Sequence, residues 1–325
     1  MSSTINLICG IGMFLIGMTM MSDSVSEVFS EKLRHLLEVL TGTKIKAVLT
    51  GLLVTGAIQS SSATTVMAVS FVDSGIMSLS QAVGVVMGAN IGTTVTSLLI
   101  AFNFSAFAPL CIFFGTLLKM FSSKEKVRSA GMLLVGFGLL FVGMNTMSAS
   151  FHSLKDNEVF LSVIASSSGK IGAVLAGFIM TAIMQSSSAT VGILQALALQ
   201  GIVGTQTALY IILGQNIGAV IPVILSSLGR SRSAKRTAVM HLLFNIIGTV
   251  IFMVGMEFIP IANVLDTLSN PSMRVSAFHI VFNVFSTLVL LPFSDYIIKL
   301  SAVFASFSLI KTKKAHRETT MDVRA

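Results

Sequence analysis

The stretch GLLVTGAIQSSSATT at 51–65 returns as GFIMTAIMQSSSATV at 177–191, identical at eight of fifteen positions and 126 residues further on. The same offset of 126 relates GANIG (88–92) to GQNIG (214–218), and GIGMFLIGM (10–18) to GFGLLFVGM (136–144). Three separated matches at one spacing identify a duplication, so the fold is built from two like units. They divide the chain into a transmembrane repeat 1 at 1–126, a repeat 2 at 127–252, a C-terminal transmembrane segment at 253–298 and a basic tail at 299–325. The first apolar run, Ile5 to Met21, belongs to the repeat and lacks a positive n-region and an A-x-A cleavage site. It therefore reads as retained structure rather than a signal peptide.

The solvent of those units is lipid. The chain is 54% hydrophobic and only 10% charged, with mean hydropathy +0.90, whereas an ordinary soluble domain has about a quarter of its residues charged. Each unit holds four apolar segments: a (Ile5–Met21; Gly131–Ala149), b carrying QSSSAT (Ala47–Val72; Ile171–Val203), c (Ser80–Ala101; Gln206–Ser227) and d (Ser105–Met120; Thr237–Met256). A last one, Val275–Ile297, follows. Several exceed the ~18 residues of a spanning helix, and ten-residue alternating patterns are missing, so helices rather than a barrel are expected. The net charge of +8 does not indicate nucleic acid, because the cations sit in short loops and the tail rather than on one basic face. Cys9 and Cys111 lie in apolar segments and imply neither a disulfide framework nor a metal site.

Loop charge bears on whether segment b crosses the membrane. If b enters and leaves on one side, each unit has three crossings, the units are inverted, and 18 of the 21 Lys and Arg fall inside, with Lys155, Lys170 and Arg274 outside. If b crosses once, the split becomes 16 to 5 and the loop KMFSSKEKVR lands on the wrong side. The positive-inside rule favours the first arrangement. Ala47 to Ile58 is twelve residues, which at ~1.5 Å each reaches just past the middle of a ~30 Å core. The expected architecture is an all-α integral membrane protein of two inverted repeats, each with a re-entrant QSSS hairpin and a broken helix, plus one C-terminal transmembrane helix. It sits multi-pass in the cytoplasmic (inner) membrane, N-terminus outside and C-terminus inside.

Non-helical backbone at membrane depth requires cover and function. With the second hairpin helix starting near Ala63 and Ala189, the preceding serines, Ser60 to Ser62 and Ser186 to Ser188, occupy its N-cap. There hydroxyls and free N–H groups converge with the positive helix end and suit an anion. The first arm's last carbonyls, with the Gln59 and Gln185 side chains, suit a hard cation. Segment c adds Asn90 and Asn216 at the centres of its two copies, flanked by Gly88, Gly92, Gly214 and Gly218, which would let a helix break. Thr93, Thr94 and Thr96 add hydroxyls in the first copy, where the second has Gly218, Ala219 and Val220, so the two sites are chemically unequal. Close packing of small residues is the competing explanation; duplication of the motif, each time with an Asn 31 residues on, favours a site. All thirteen Asp and Glu lie in loops, tails or segment ends, so the centre is neutral, and a co-bound cation would offset burial of an anion.

HLLFN (241–245) and HIVFN (279–283) place a His and an Asn one turn apart near the expected starts of the last two helices, where structural helix contacts are their expected role. Val25 to Leu40 reads as a helix on the inner membrane surface or a plain loop helix. Enzymatic function is not expected: the serine runs have no base nearby and no Gly-x-Ser-x-Gly elbow occurs.

The paired QSSS motifs, GANIGTT, GQNIG and HLLFN together resemble the sodium/phosphate cotransporter type II family, in particular bacterial members without the C-terminal regulatory domain. The resemblance runs from about Ile5 to Ile297. It implies sodium-coupled symport of inorganic phosphate by alternating access. It also implies a site of Gln59, Ser60, Ser61, Ser62, Gln185, Ser186, Ser187 and Ser188, supported by Thr64, Asn90, Thr93, Thr94, Thr190 and Asn216. Sodium is then expected at Gln59, Ser62, Gln185, Ser188 and Asn216, as coupling ion, with no other cofactor. The expected partners are phosphate, sodium and the lipid bilayer. An anion channel, or a carrier of sulfate or arsenate, is the alternative.

Overall fold

A computed structural model describes residues 2–154, 157 and 169–305, and every regular element among them is helical. In chain order these are α1 (Ser2–Val39), α2 (Lys44–Ile58), α3 (Ser61–Asp73), α4 (Leu79–Ala101), α5 (Ala108–Phe121) and α6 (Glu125–Leu154). Then come α7 (Lys170–Met184), α8 (Ser187–Leu199), α9 (Thr205–Gly218), α10 (Ile221–Ser227), α11 (Arg232–Phe258), α12 (Ile261–Asp266) and α13 (Pro271–Leu290), with α14 at 294–305. The bounds of α2 and α3 recur 126 residues later as those of α7 and α8, and α4 spans the positions equivalent to α9 plus α10. Lys155 and the tail from 306 lie outside the described residues.

Helix starts follow local chemistry. Ser78 and Gln81 form a reciprocal capping box at α4, while Thr43, Ser231 and Asn270 each cap a helix by accepting a first-turn N–H. Ser231 sets the start of α11 five residues before the expected Thr237, which moves His241 from the helix start into its third turn. Likewise α13 begins at Pro271, and His279 is its ninth residue. The Val25–Leu40 stretch is no separate surface helix: α1 runs through it without interruption to Val39.

Six helices, or helix pairs, are long and apolar enough to cross a bilayer: Ser3–Phe29 within α1, α4, α6, Thr205–Ser227, α11 and α13. Seven were expected; the remaining candidate, Ser105–Phe121, is shorter than those six. Outward faces carry large apolar side chains such as Leu53, Phe113, Ile183, Val250 and Leu288, while no Asp, Glu, Lys or Arg is buried among the described residues. A surface that is apolar outside and polar-neutral inside defines a multi-pass membrane protein.

The expected break in segment c is present only in the second copy. There α9 ends at Gly218 and α10 starts at Ile221. Pro222 has no N–H to give to the Gly218 carbonyl and its ring crowds that turn. The equivalent position in α4 is Thr96, and α4 runs unbroken from Leu79 to Ala101. Gly88 and Gly92 are therefore not hinges. They let α4 lie directly on the α2 backbone: a Cβ at Gly88 would fall 1.9 Å from the Val48 carbonyl oxygen, and one at Gly214 would fall 1.8 Å from that of Val174 in α7.

α1 and α6 pack through glycines that are themselves repeat equivalents. Gly10 abuts Gly143 and Gly17 abuts Gly136, so the two helices run antiparallel. Phe14 is fully buried with its ring against Gly192 of α8, in a core shared with Phe141, Met147 and Leu194. Polar groups gather at the two ends of α11. At its start, Asp73 accepts from the Ser231 N–H (2.9 Å) and pairs with Arg230; hydrogen bonding from the Ser231 side chain, then from its backbone, then that guanidinium, holds its carboxyl below the ordinary range. Near the end of α13, Lys44 donates to Asp295 (2.8 Å). At the far end of α11, Lys170 is bonded to Glu257, and Arg274 donates to Asp266 (2.7 Å).

Candidate functional site

Both QSSS runs form the turn between two helices, and they do so identically. α2 ends at Ile58 and α7 at Met184; Gln59 (φ 62°) and Gln185 (φ 53°) then take the left-handed conformation, each N–H donating to the carbonyl of Thr55 or Thr181. A glutamine in that region is unusual, because a side chain there crowds the carbonyl oxygen. Ser60 and Ser186 follow in extended conformation and cap the next helix, accepting from the N–H of Ala63 (3.2 Å) and Ala189 (3.3 Å). The second helices begin at Ser61 and Ser187, two residues earlier than Ala63 and Ala189. Consequently Ser61, Ser62, Ser187 and Ser188 form the first turn, whose N–H groups lack intrahelical acceptors. A hydroxyl pair pins the arms together below each turn: Thr55 to Thr64 and Thr181 to Thr190, both 2.9 Å.

The two turns differ in one contact. Gln59 is held at both ends, its Nε2 donating to the Gly56 carbonyl (2.6 Å) and its Oε1 accepting from Thr96 (2.6 Å). At Gln185 the counterpart of Thr96 is Pro222, which has no hydroxyl, and the Gln185 side chain is exposed. The inequality read from segment c is thus realised at the glutamines. Among the described residues no hydrogen bond joins 59–64 to 185–190.

The asparagines of segment c meet instead, through a helix outside the predicted set. Asn90, 3% exposed, donates through Nδ2 to Asn245 Oδ1 (3.3 Å), and Asn245 Nδ2 donates to the Asn216 carbonyl (2.7 Å). That carbonyl is free because the break after Gly218 turns the Val220 N–H to Ile217. His241 Nε2 lies 3.3 Å from Asn90 Oδ1, an acceptor to which a proton on that nitrogen donates. His241 is therefore buried against a predicted site residue, not set apart near a helix start. Thr93 and Thr94 spend their protons on the carbonyls of Ala89 and Ile91, and Asn216 donates to Ile212. α4 is the joint: Thr96 faces Gln59, while the next residue, Ser97, accepts through its carbonyl from Gln195 of α8 (3.0 Å).

Gln195, His241 and Asn245 stand outside the expected site, whereas the Thr96 hydroxyl is legible in segment c but its contact with Gln59 is not. The His-x-x-Phe-Asn spacing was a visible signal for two of them; Gln195 had none, since its repeat equivalent is Val69.

Duplicated helix–turn–helix units with open first-turn N–H groups, inside a multi-helix membrane protein whose described interior buries no formal charge, define a transporter-like class. The chain belongs to the Na+/Pi-cotransporter family, whose model matches residues 13–149 and 142–312. It is similar to "Uncharacterized protein YqeW" of Bacillus subtilis (strain 168), 30% identical over 241 residues, 73% of this chain and 78% of that protein. It is also similar to the "Putative inorganic phosphate export protein YjbB" of Escherichia coli (strain K12), 28% identical over 297 residues, 91% of this chain and 54% of that one. A shorter match, 44% over 57 residues, covers 18% of this chain and 9% of "Sodium-dependent phosphate transport protein 2A" of Ovis aries. The chain thus spans about half the length of YjbB. No solved structure matches it.

Proposed function

We propose that the protein is a sodium-coupled carrier of inorganic phosphate in the cytoplasmic membrane, working by alternating access, with the two QSSS turns as its substrate and ion sites. The observation that carries this reading is the pair of equivalent turns, each a left-handed glutamine followed by a serine cap, set in an interior without buried formal charge. The first-turn N–H groups and hydroxyls of Ser60 to Ser62 and Ser186 to Ser188 take the phosphate oxygens at the positive helix ends. Oxygens of Gln59, Ser62, Gln185, Ser188 and Asn216 take sodium, which offsets the cost of burying the anion. Thr64 and Thr190 hold the turns closed, and Asn90, Thr93 and Thr94 line α4 beside them.

In this reading the QSSS units are re-entrant hairpins and the halves are inverted. Lys44 and Asp73, the two ends of α2–α3, both find partners at one polar end, while Lys170 finds Glu257 at the other, which supports that arrangement. The antiparallel packing of α1 on its repeat equivalent α6 supports it further. A coupled carrier runs in whichever direction its gradients dictate. Net export is the second reading, favoured by the name of YjbB.

Equilibrium binding of radiolabelled phosphate to the purified protein tests the coupling. Replacing potassium by sodium is expected to tighten phosphate binding by about 5- to 150-fold, the usual range of coupling between sites. Equal affinity in the two salts removes sodium from the mechanism.

A further inference from the structure

One face of α13 remains unused by the two turns. Ser272, Ser276, His279, Asn283 and Ser286 recur at spacings of four, three, four and three, with Thr287 beside them; all six are at most 3% exposed. This polar stripe lies inside the protein on a helix that follows both repeats.

The half of the stripe nearer the start of α13 is only partly satisfied, since Ser272 Oγ has no partner. Ser276 donates to the Ser97 carbonyl (2.7 Å), and Gln195 Nε2 donates to Ser276 Oγ (2.8 Å) and the Ser272 carbonyl (3.3 Å). Asn270 reaches the Ala101 carbonyl, so α13 runs antiparallel to α4, and the turns beyond Ser276 lie toward Thr93 and Asn90.

The other half is not satisfied. Asn283 spends its Nδ2 on the His279 carbonyl (2.8 Å), which leaves Oδ1 as an acceptor without a partner. Ser286 Oγ and Thr287 Oγ1, one turn further on, have none either. Hydroxyls inside helices often return to the carbonyl four residues back, as Ser24, Thr116 and Ser150 do here. Ser286 and Thr287 do not. Gly248 of α11 faces Ser286: a Cβ there would stand 2.8 Å from Ser286 Oγ. Buried polar groups without partners are costly, and alanine or valine would pack in these places without that cost.

Residues i, i+3 and i+4 are neighbours on a helix surface, which puts Asn283 beside both Ser286 and Thr287. The three free oxygens are neutral and hard, and the only amide donor among them is already used. Such a set suits a monovalent alkali cation. It does not suit a divalent or transition metal, which calls for carboxylate, imidazole or thiolate ligands, and no group of three His, Cys, Asp or Glu occurs among the described residues.

We infer that Asn283 Oδ1, Ser286 Oγ and Thr287 Oγ1 are ligands of a further monovalent-cation site on α13, separate from the QSSS turns. The choice of sodium over potassium rests on the proposed sodium coupling; the site itself does not.

The test is equilibrium binding of radiolabelled sodium to the purified full chain, with choline as the replacement cation. The variants are Thr287→Val, Ser286→Ala and Asn283→Leu, with heat stability measured in each salt. Thr287→Val keeps the shape of the side chain and removes only the hydroxyl. It is expected to weaken sodium binding at this site by about tenfold or more and to reduce stabilisation by sodium, while leaving stability in choline unchanged or higher. Should Asn283→Leu fail to fold, Thr287→Val and Ser286→Ala decide the matter. Variants that bind sodium like the wild type overturn the inference, whether or not phosphate flux depends on sodium. Weakened binding in the variants, together with wild-type flux indifferent to sodium, overturns the transport reading and leaves the site standing.

Discussion

Gly214→Ala is expected to leave little folded protein in the membrane, and Gly88→Ala nearly as little. The added Cβ at 214 would lie 1.8 Å from the Val174 carbonyl oxygen and 2.8 Å from the Phe178 nitrogen; at 88 it would lie 1.9 Å from the Val48 carbonyl oxygen. Both neighbours are backbone, so no side chain can rotate away and the two helices must separate. Overpacking a tight interior typically costs about 1–3 kcal/mol, and more where backbone has to move. α2–α4 and α7–α9 are the interfaces that hold each glutamine turn against its segment-c helix, so the damage reaches the site as well as the fold. Gly255→Ala is the control: nothing lies within 4 Å of its Cβ position, and replacing a helix-interior glycine there favours the helix by ~0.5–1 kcal/mol. Quantifying monodisperse protein after extraction separates the cases. Wild-type yields for Gly214→Ala would show that the helices are not in such close contact.

The second large effect is on transport. Gln59→Ala removes the contact to Thr96 and an expected ion ligand, and Ser186→Ala removes the cap of α8. Loss of a serine cap costs only about 1 kcal/mol of stability, so both proteins are expected to reach the membrane in nearly normal amounts. A hydrogen bond to a charged group is worth about 1.5–3 kcal/mol, so each substitution should lower sodium-dependent phosphate flux about tenfold or more. Normal flux at normal abundance would move the site away from the turns. Thr96→Val separates positioning from ligation, since it releases Gln59 Oε1 without removing the side chain.

Much of this was readable in the chain because duplication reports structure twice. One offset of 126 marked α2–α3 and α7–α8 as equivalent pairs, and a serine run after a glutamine placed their caps to within two residues. What escaped depends on contacts between elements distant in sequence. The break after Gly218 comes from Pro222, a signal overlooked in favour of the glycines, which proved to be packing surfaces. His241 lies away from a helix start because Ser231 caps α11 five residues before its apolar run, and its contact with Asn90 joins residues 151 apart in the chain. The stripe on α13 was partly visible as His-x-x-Phe-Asn, yet no sequence pattern tells which of its oxygens lack partners.

The most direct measurement is uptake of radiolabelled phosphate into proteoliposomes of the purified chain, under an inward sodium gradient and a matched potassium gradient. The account predicts accumulation above the external concentration with sodium and none with potassium. Equilibration at the same rate under both gradients would contradict it and make the protein a channel.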